Sequence, residues 1–326
     1  MKIISEQLIR SLGITPKECV TWIYESFDMK KDAQLPTKTS VHPADFDFFT
    51  SMPCLLPVSQ KKGKKATDNI RYFGIKEVHR IEGATPSLGS DMLLYNANNG
   101  ELLALIDCDW ITTMRTGAVA AVSAKALRRA DASIYGIVGL GNTARATLLC
   151  ALELEPYKQF IVKILRYKNQ AELFIDRFKD YPNVKFEIID SINELASTVD
   201  VFISCITSAT GLLVEDESLF PAGITVIPVH MRGLQNCDTS FDRVFGDDTN
   251  HVKHFKYFNQ YKDYNEIGEV LAGRDIGRKS DDQRIIDYNY GLAIHDVVYA
   301  SKIYEMLSDQ DVLSIDIIKE TEKFWI

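Results

Sequence analysis

The sequence is short of the features that mark most specialised classes of protein. No apolar run approaches the length of a membrane span, so a membrane partner is not expected. The opening stretch, MKIISEQLIRSLGI, lacks the apolar core and small-residue cleavage site of a secretory signal. The six cysteines (Cys19, Cys54, Cys108, Cys150, Cys205, Cys237) form no C-x-x-C pair. Scattered thiols of this kind point to a reducing, cytoplasmic setting. Lysine and arginine number 37 against 45 acids, a net charge of −8, so the basic footprint of a nucleic-acid binder is missing. Neither an internal repeat nor a low-complexity tract interrupts the chain.

What is present is enough apolar material for real cores. The 326 residues are 46% hydrophobic, and two domains are the expected division. The N-terminal third mixes short helical and strand-like runs. TPKECVTWIYESFDM carries helical spacing behind a Thr15, Pro16, Glu18 start. LLYNANNGELLALI predicts a hairpin turning at Asn98, Asn99 and Gly100. The four lysines of SQKKGKKATDN read as a solvated connector.

An alanine-rich helix is expected from Thr116, in DWITTMRTGAVAAVSAKAL. Arg115 stands just ahead of it, where the positive end of the macrodipole disfavours a cation. From SIYGIVGL onward, strand-like and helical runs alternate as far as RVFGDD, which predicts parallel strands with crossover helices. The amphipathic stretch NYGLAIHDVVYASKIYEML is expected to fold back toward the first domain.

IVGLGNTARA holds Gly139, Gly141 and Ala144 as G-x-G-x-x-A, after an apolar strand and at the opening of a helix. Gly139 suits the tight turn, Gly141 admits a pyrophosphate to the backbone, and Ala144 allows close helix packing. The amides that open the helix, from Asn142 and Thr143, can receive the phosphates. At the end of the next strand no acid is available for ribose hydroxyls. Arg166 and Lys168 stand there instead, which favours NADP over NAD, although ordinary surface charge also explains them. Thr207 and Ser208 end VFISCITS at the carboxyl end of a strand, where such folds bind cofactor.

With RTGAVAAVSAKAL followed by GIVGLGNTARA, the chain resembles the ornithine cyclodeaminase/mu-crystallin family. LPTKTSVHP, FFTSMPCLLP, GIK, GELLALIDCDWITTMRTGA and NYGLAIHDVVYASKIY extend the resemblance through most of the chain. It implies an α/β fold: a Rossmann-type doubly wound parallel sheet over 131–299, plus a mixed α+β substrate and dimerisation domain. The second domain would take 1–130 and a C-terminal helix at about 300–326. The resemblance further implies NAD(P), a homodimer joined through its N-terminal sheets, and an amino-acid or imino-acid substrate between the domains.

For the site, the resemblance implies that Arg115 grips the substrate α-carboxylate, as a guanidinium fork can. A salt bridge to Asp107 or Asp109 is the plainer reading. Lys76, in FGIKEVH, matches a lysine placed beside that carboxylate, and Lys38 matches a position often held by arginine. After ITVIPV, where cyclodeaminases carry a catalytic aspartate, this chain reads His230, Met231, Arg232, Gly233. His230 is a candidate acid–base group, and equally a strand-end histidine with a structural hydrogen bond. Asn289 and Gly291 match a turn near the nicotinamide, with Asn289 in place of the usual serine. Asp296 reads as a polar contact, and His251 with His254 as no metal site, so no metal is expected.

The activity implied is chemistry at the α-carbon of an amino acid, with cyclodeamination of L-ornithine to L-proline and ammonia foremost. Net redox, as by a ketimine reductase, alanine dehydrogenase or opine-type dehydrogenase, is the alternative. A mu-crystallin-like protein that holds NADPH and a ligand without turnover is a third.

Overall fold

The computed structural model describes residues 1–58, 70–207, 209–230, 232–308, 310–317 and 320–324. The lysine-rich connector at 59–69 lies outside these described residues. In chain order the elements are β1 (Lys2–Ile4), α1 (Glu6–Ser11), α2 (Pro16–Met29), β2 (Thr39–Val41), β3 (Phe48–Leu55), β4 (Tyr72–Arg80), β5 (Leu88–Asn96), β6 (Glu101–Asp107) and α3 (Asp109–Leu127). They continue as β7 (Ile134–Val138), α4 (Asn142–Leu154), β8 (Phe160–Leu165), α5 (Gln170–Arg177), β9 (Val184–Ile189), α6 (Ile192–Ser197), β10 (Val201–Ser204) and β11 (Thr225–Pro228). The last are α7 (Cys237–Ser240), β12 (Arg243–Gly246), α8 (Thr249–Val252), β13 (Tyr264–Glu266), α9 (Ile267–Leu271), β14 (Ile285–Tyr288) and α10 (Ala293–Met306).

Two compact units result. One comprises Met1–Ile14, Met29–Thr112 and Ala293–Ile326, the other Thr15–Asp28 and Thr113–Leu292. This division differs from the boundaries suggested by sequence, 1–130 and about 300–326 against 131–299, in three places. The cut falls inside α3, because that helix runs unbroken from Asp109. All of α10 belongs to the first unit. Most of α2 joins the second, because its buried face (Cys19, Val20, Ile23, Phe27) packs there. Phe27 Cδ1 lies only 3.3 Å from where a Cβ on Gly268 of α9 would stand. The start of α2 is the reciprocal cap that its sequence suggests: Thr15 N donates to Glu18 Oε2 at 2.8 Å, and Glu18 N to Thr15 Oγ1 at 3.2 Å.

The first unit is built on a six-stranded sheet of order β1-β6-β5-β4-β3-β2, antiparallel except where β1 joins β6. The β5–β6 hairpin turns at Asn98-Asn99-Gly100, with Gly100 at φ +76° and its N–H donating to Asn96 O at 2.8 Å. Because side chains alternate along a strand, register sorts them into rows. One row on the buried face runs Met52, Lys76, Met92, Ile106, Ile4. Helix α10 covers this face so closely at Gly74 that a Cβ there would lie 2.6 Å from Val297 Cγ2. The opposite face carries the row Pro53, Ile75, Leu93, Leu105, Ile3 and, beside it, the row Glu77, Asp91, Asp107.

The second unit is a doubly wound Rossmann-type α/β domain. Its eight strands are all parallel, in the order β13-β12-β14-β11-β10-β7-β8-β9. Near-continuous apolar strands such as Val201–Ser204 and Ile285–Tyr288 are buried throughout, as a sheet covered on both faces requires. Strand order reverses between β7 and its neighbours β10 and β8. The carboxyl ends of those strands are where such a sheet opens a crevice for ligands.

Candidate functional site

The glycine loop sits at that reversal point. Gly139, following β7, has φ +79°, and a Cβ on it would lie 2.7 Å from the carbonyl carbon of Cys205, after β10. Only glycine satisfies both demands. Gly141 faces open space, with no atom within 4 Å of where its Cβ would be. It opens α4 with no side-chain cap, so the amides at Asn142 and Thr143 have no competing side-chain acceptor at that cap. Ala144 is fully buried against the sheet. Such a cradle, uncapped at the helix start and clear above Gly141, fits a dinucleotide pyrophosphate. Thr207 is exposed just past β10, and Ser208 lies outside the described residues.

Arg166 ends β8 as expected, but it is engaged by two carboxylates. Its Nε donates to Asp190 Oδ1 and its Nη1 to Glu172 Oε1, both at 2.8 Å. Their hydrogen bonds hold the guanidinium pKa above its ordinary value. Neighbouring Lys168 lies over the Tyr167 ring at 5.1 Å. The acids missing from the linear sequence at this strand end are thus supplied from α5 and from the residue after β9. Both ion pairs are solvent-exposed.

Arg115 is not ahead of its helix. Since α3 begins at Asp109, Arg115 belongs to the second turn, and the positive end of the dipole faces the Asp109 carboxylate instead. The side chain is buried, at 6% exposure, and its guanidinium lies against the backbone of Gly291. Gly117, two residues on, brings α3 against α4: a Cβ there would meet Ala146 Cβ and Thr147 N at 2.5 Å. The close approach sets the Arg115 helix beside the helix that opens at the glycine loop.

The turn after β14 is tied down from two sides. Asn289 Nδ2 donates to Asp287 Oδ2 at 2.9 Å and to Ser123 Oγ of α3 at 3.3 Å. Gly291, at φ +89°, donates its N–H to Asp247 Oδ2 at 2.5 Å. Asp287 and Asp247 are fully buried, and desolvation, with the charge of Asp247 adding to it, pushes Asp287 up to about 7. Neither acid stood out in the linear sequence. The signal was an aspartate breaking an apolar strand, in IIDY and in FGDD.

His230 follows β11 and is locked in one protonation state. Its Nδ1 accepts the backbone N–H of Arg232 at 3.1 Å, so the proton resides on Nε2, which donates to Ser204 Oγ at 2.7 Å. Burial, helped by the Arg232 charge, depresses its pKa to about 4. An imidazole that is neutral near pH 7 with both nitrogens engaged is a poor proton carrier.

Lys76 is the largest departure from expectation. It stands in the middle of an apolar row with no exposed surface, and its Nζ donates to Asp296 Oδ1 of α10 at 2.7 Å. A buried cation must be compensated. Here the protein's own Asp296 does this, so burial no longer argues that a substrate anion is needed. Nζ also donates to Thr112 Oγ1 at 3.3 Å. The Cys54 thiol nearby is pushed up to about 12 by burial and the Asp296 charge. Lys38 is half-buried just ahead of β2. His251, in α8, makes a tilted ring contact with Tyr290, 5.3 Å between centroids.

Among the described residues no group of three or more His, Cys, Asp or Glu side chains could hold a metal, and no helix is long and apolar enough to cross a membrane. Against known proteins, the profile of the ornithine cyclodeaminase/mu-crystallin family matches residues 11–311. The chain belongs to this family. It is 28% identical over 239 residues to the Delta(1)-pyrroline-2-carboxylate reductase of Colwellia psychrerythraea, covering 69% of this chain and 75% of that one. The Thermococcus litoralis Delta(1)-pyrroline-2-carboxylate reductase, solved with NADH and L-proline, superposes with a TM-score of 0.81 at 23% identity, over 96% of this chain and 99% of that one. An archaeal alanine dehydrogenase dimer with bound NAD gives 0.80 at 24% identity, over 98% and 99%.

Proposed function

We propose that the protein is a nicotinamide-dependent oxidoreductase that interconverts an α-imino acid and the corresponding α-amino acid, with a cyclic imino acid such as Δ1-pyrroline-2-carboxylate as the first candidate. Relatives of that activity and family membership support the reaction class. The observation that separates net redox from cyclodeamination is the state of His230. The position where a cyclodeaminase aspartate is expected holds an imidazole fixed neutral by Arg232 N and Ser204 Oγ. Cyclodeamination of ornithine, foremost on sequence alone, therefore takes second place.

The dinucleotide, held by the loop of Gly139, Gly141, Asn142, Thr143 and Ala144 with Thr207, Ser208, Asn289 and Gly291 as further contacts, would supply or accept the hydride. NAD is the proposed form, since Arg166 is taken up by Asp190 and Glu172. Arg115 binds the substrate α-carboxylate through its two terminal nitrogens, and Lys38 adds positive charge. Lys76, paired with Asp296, handles the proton at the substrate nitrogen. The working form is a homodimer joined through the half-exposed apolar face of Ile75, Leu93 and Leu105.

A single panel tests the reading. Purified protein is mixed with NADH or NADPH and Δ1-pyrroline-2-carboxylate, or with pyruvate and ammonium, and separately with ornithine and NAD+. Loss of nicotinamide absorbance with the imino acid supports the proposal. Proline and ammonia from ornithine without net absorbance change would replace it with cyclodeamination. Nucleotide binding with no turnover anywhere would leave a ligand-binding protein of the mu-crystallin kind.

A further inference from the structure

A chain of hydroxyls leads away from the buried lysine. Lys76 Nζ donates to Thr112 Oγ1 at 3.3 Å, Thr112 Oγ1 and Ser90 Oγ are 2.8 Å apart, and Ser90 Oγ donates to Asp109 Oδ1 at 3.1 Å. Each hydroxyl has one proton to give. Since Ser90 gives its own to Asp109, Thr112 must give its proton to Ser90 and receive from Lys76. The chain therefore has one direction, from ammonium to carboxylate. It also crosses from fully buried Lys76 and nearly buried Ser90 to half-exposed Asp109.

We propose that Thr112, Ser90 and Asp109 form a proton relay that connects Lys76 with solvent. It rests on the reading above that Lys76 exchanges a proton with the substrate nitrogen. In reduction, that nitrogen takes one proton from the Lys76 ammonium while Cα takes the hydride, and the C=N π bond becomes a C–H and an N–H bond. The neutral Lys76 amine then recovers a proton through Thr112 and Ser90 from Asp109, which draws one from water. In oxidation each transfer runs the other way, in the direction that the hydrogen bonds already point.

The surroundings suit this role. Asp296 holds Lys76 from the α10 side, and Met52 and Met92 flank it in its row of the sheet, with Ile106 beyond. At the outer end the carboxylates of Asp91 and Asp107 stand on adjacent strands beside Asp109, with Glu77 and His79 next to them. Like charges set directly across strands are costly in a sheet, yet here three acids are aligned. Burial and the neighbouring acids raise the pKa of Asp91, which suits a group that gathers protons at the mouth of a relay.

The first test needs no nucleotide and no substrate. In protein labelled with 15N-lysine, the ammonium signal of Lys76, assigned by its loss in Lys76→Arg, reports proton exchange with water. Thr112→Val and Ser90→Ala should each slow that exchange at least tenfold, while Thr112→Ser restores it. Unchanged or faster exchange in both blocked variants overturns the relay, whatever the enzyme turns over. In the imino-acid assay, the blocked variants should lower kcat, raise the solvent deuterium isotope effect and leave KM and NADH affinity within twofold. A loss of NADH affinity equal to the loss in kcat would mark a structural role and reject the relay. Absence of imino-acid turnover in the unaltered protein would reject the functional reading, and the exchange measurement would still decide the relay.

Discussion

Gly291 and Arg115 are fitted to each other: a Cβ on Gly291 would stand 2.6 Å from Nη1 of Arg115. The turn also holds Gly291 at φ +89°, a conformation that L side chains rarely adopt. Two separate penalties therefore meet at one residue, and both act on where the guanidinium sits.

Truncating the cation tests its role directly. Arg115→Ala should raise KM for the imino acid or lower kcat/KM by roughly a hundredfold or more, the value of two charge-assisted hydrogen bonds. NADH affinity, read by fluorescence, should be unchanged. Arg115→Lys should recover only part of the loss, because an ammonium lacks the fork. Gly291→Ala should resemble Arg115→Ala in KM and add a fall in Tm from the strained turn.

Of the candidate site, the glycine loop is marked by a local motif, and Arg115 and the Asn289–Gly291 turn by the family resemblance, while the alternating second half announces the parallel sheet. What could not be read were partners joined by register and long-range packing. Nothing near Lys76 in sequence points to Asp296, 220 residues away. The linear sequence does not show the partners of Arg166, because Glu172 and Asp190 reach it only once α5 and β9 are folded. Helix α3 starts at Asp109, ahead of the alanine-rich run, because Asp109 to Met114 is helical although it contains no alanine.

The state of His230 carries a pH signature. Its folded pKa, about 4, lies below the ordinary value of 6.5, so between these values the unfolded chain takes a proton that the native one refuses. Its contribution to stability is complete above pH 6.5 and is lost as pH falls toward 4. Each unit of depression is worth about 1.4 kcal/mol. His230→Gln should flatten this part of the profile, measured as the urea midpoint from pH 7.5 to 4.5. The pH–rate profile should show no step that this substitution removes.

Asp287 acts with the opposite sign. Its folded pKa of about 7 lies above the ordinary carboxyl value of 3.8, so the native state keeps a proton that the unfolded chain releases. Stability from this group is full below pH 3.8 and is lost as pH rises through 7. Asp287→Asn preserves the shape and removes the titration. The variant should gain in Tm relative to the unaltered protein at pH 8 and show no gain at pH 5.

Cofactor choice can be shifted by releasing Arg166. With Asp190→Asn and Glu172→Gln together, the guanidinium loses both of its carboxylate partners while the backbone stays intact. The pair of substitutions should improve kcat/KM for NADPH about tenfold relative to NADH, since a 2′-phosphate then meets an unpaired cation. No relative change would show that Arg166 lies outside the nucleotide's reach.

The outer face of the first unit's sheet supplies the last prediction. Ile75 and Leu93 are directly paired across β4 and β5, and neither is buried within one chain. Leu105 continues the row at 36% exposure, and Phe73 beside Tyr95 adds aromatic surface at 5.9 Å between rings. A contiguous apolar sheet face of this kind marks an association surface. Ile75→Arg places a charge at its centre, where burial against a second copy would leave it unpaired. If the proposed dimer forms through this face, the variant should sediment as a monomer at concentrations where the unaltered protein sediments as a dimer. Its Tm should then cease to depend on protein concentration, because stabilisation by association is lost. A variant that stays dimeric would place the interface elsewhere on the chain.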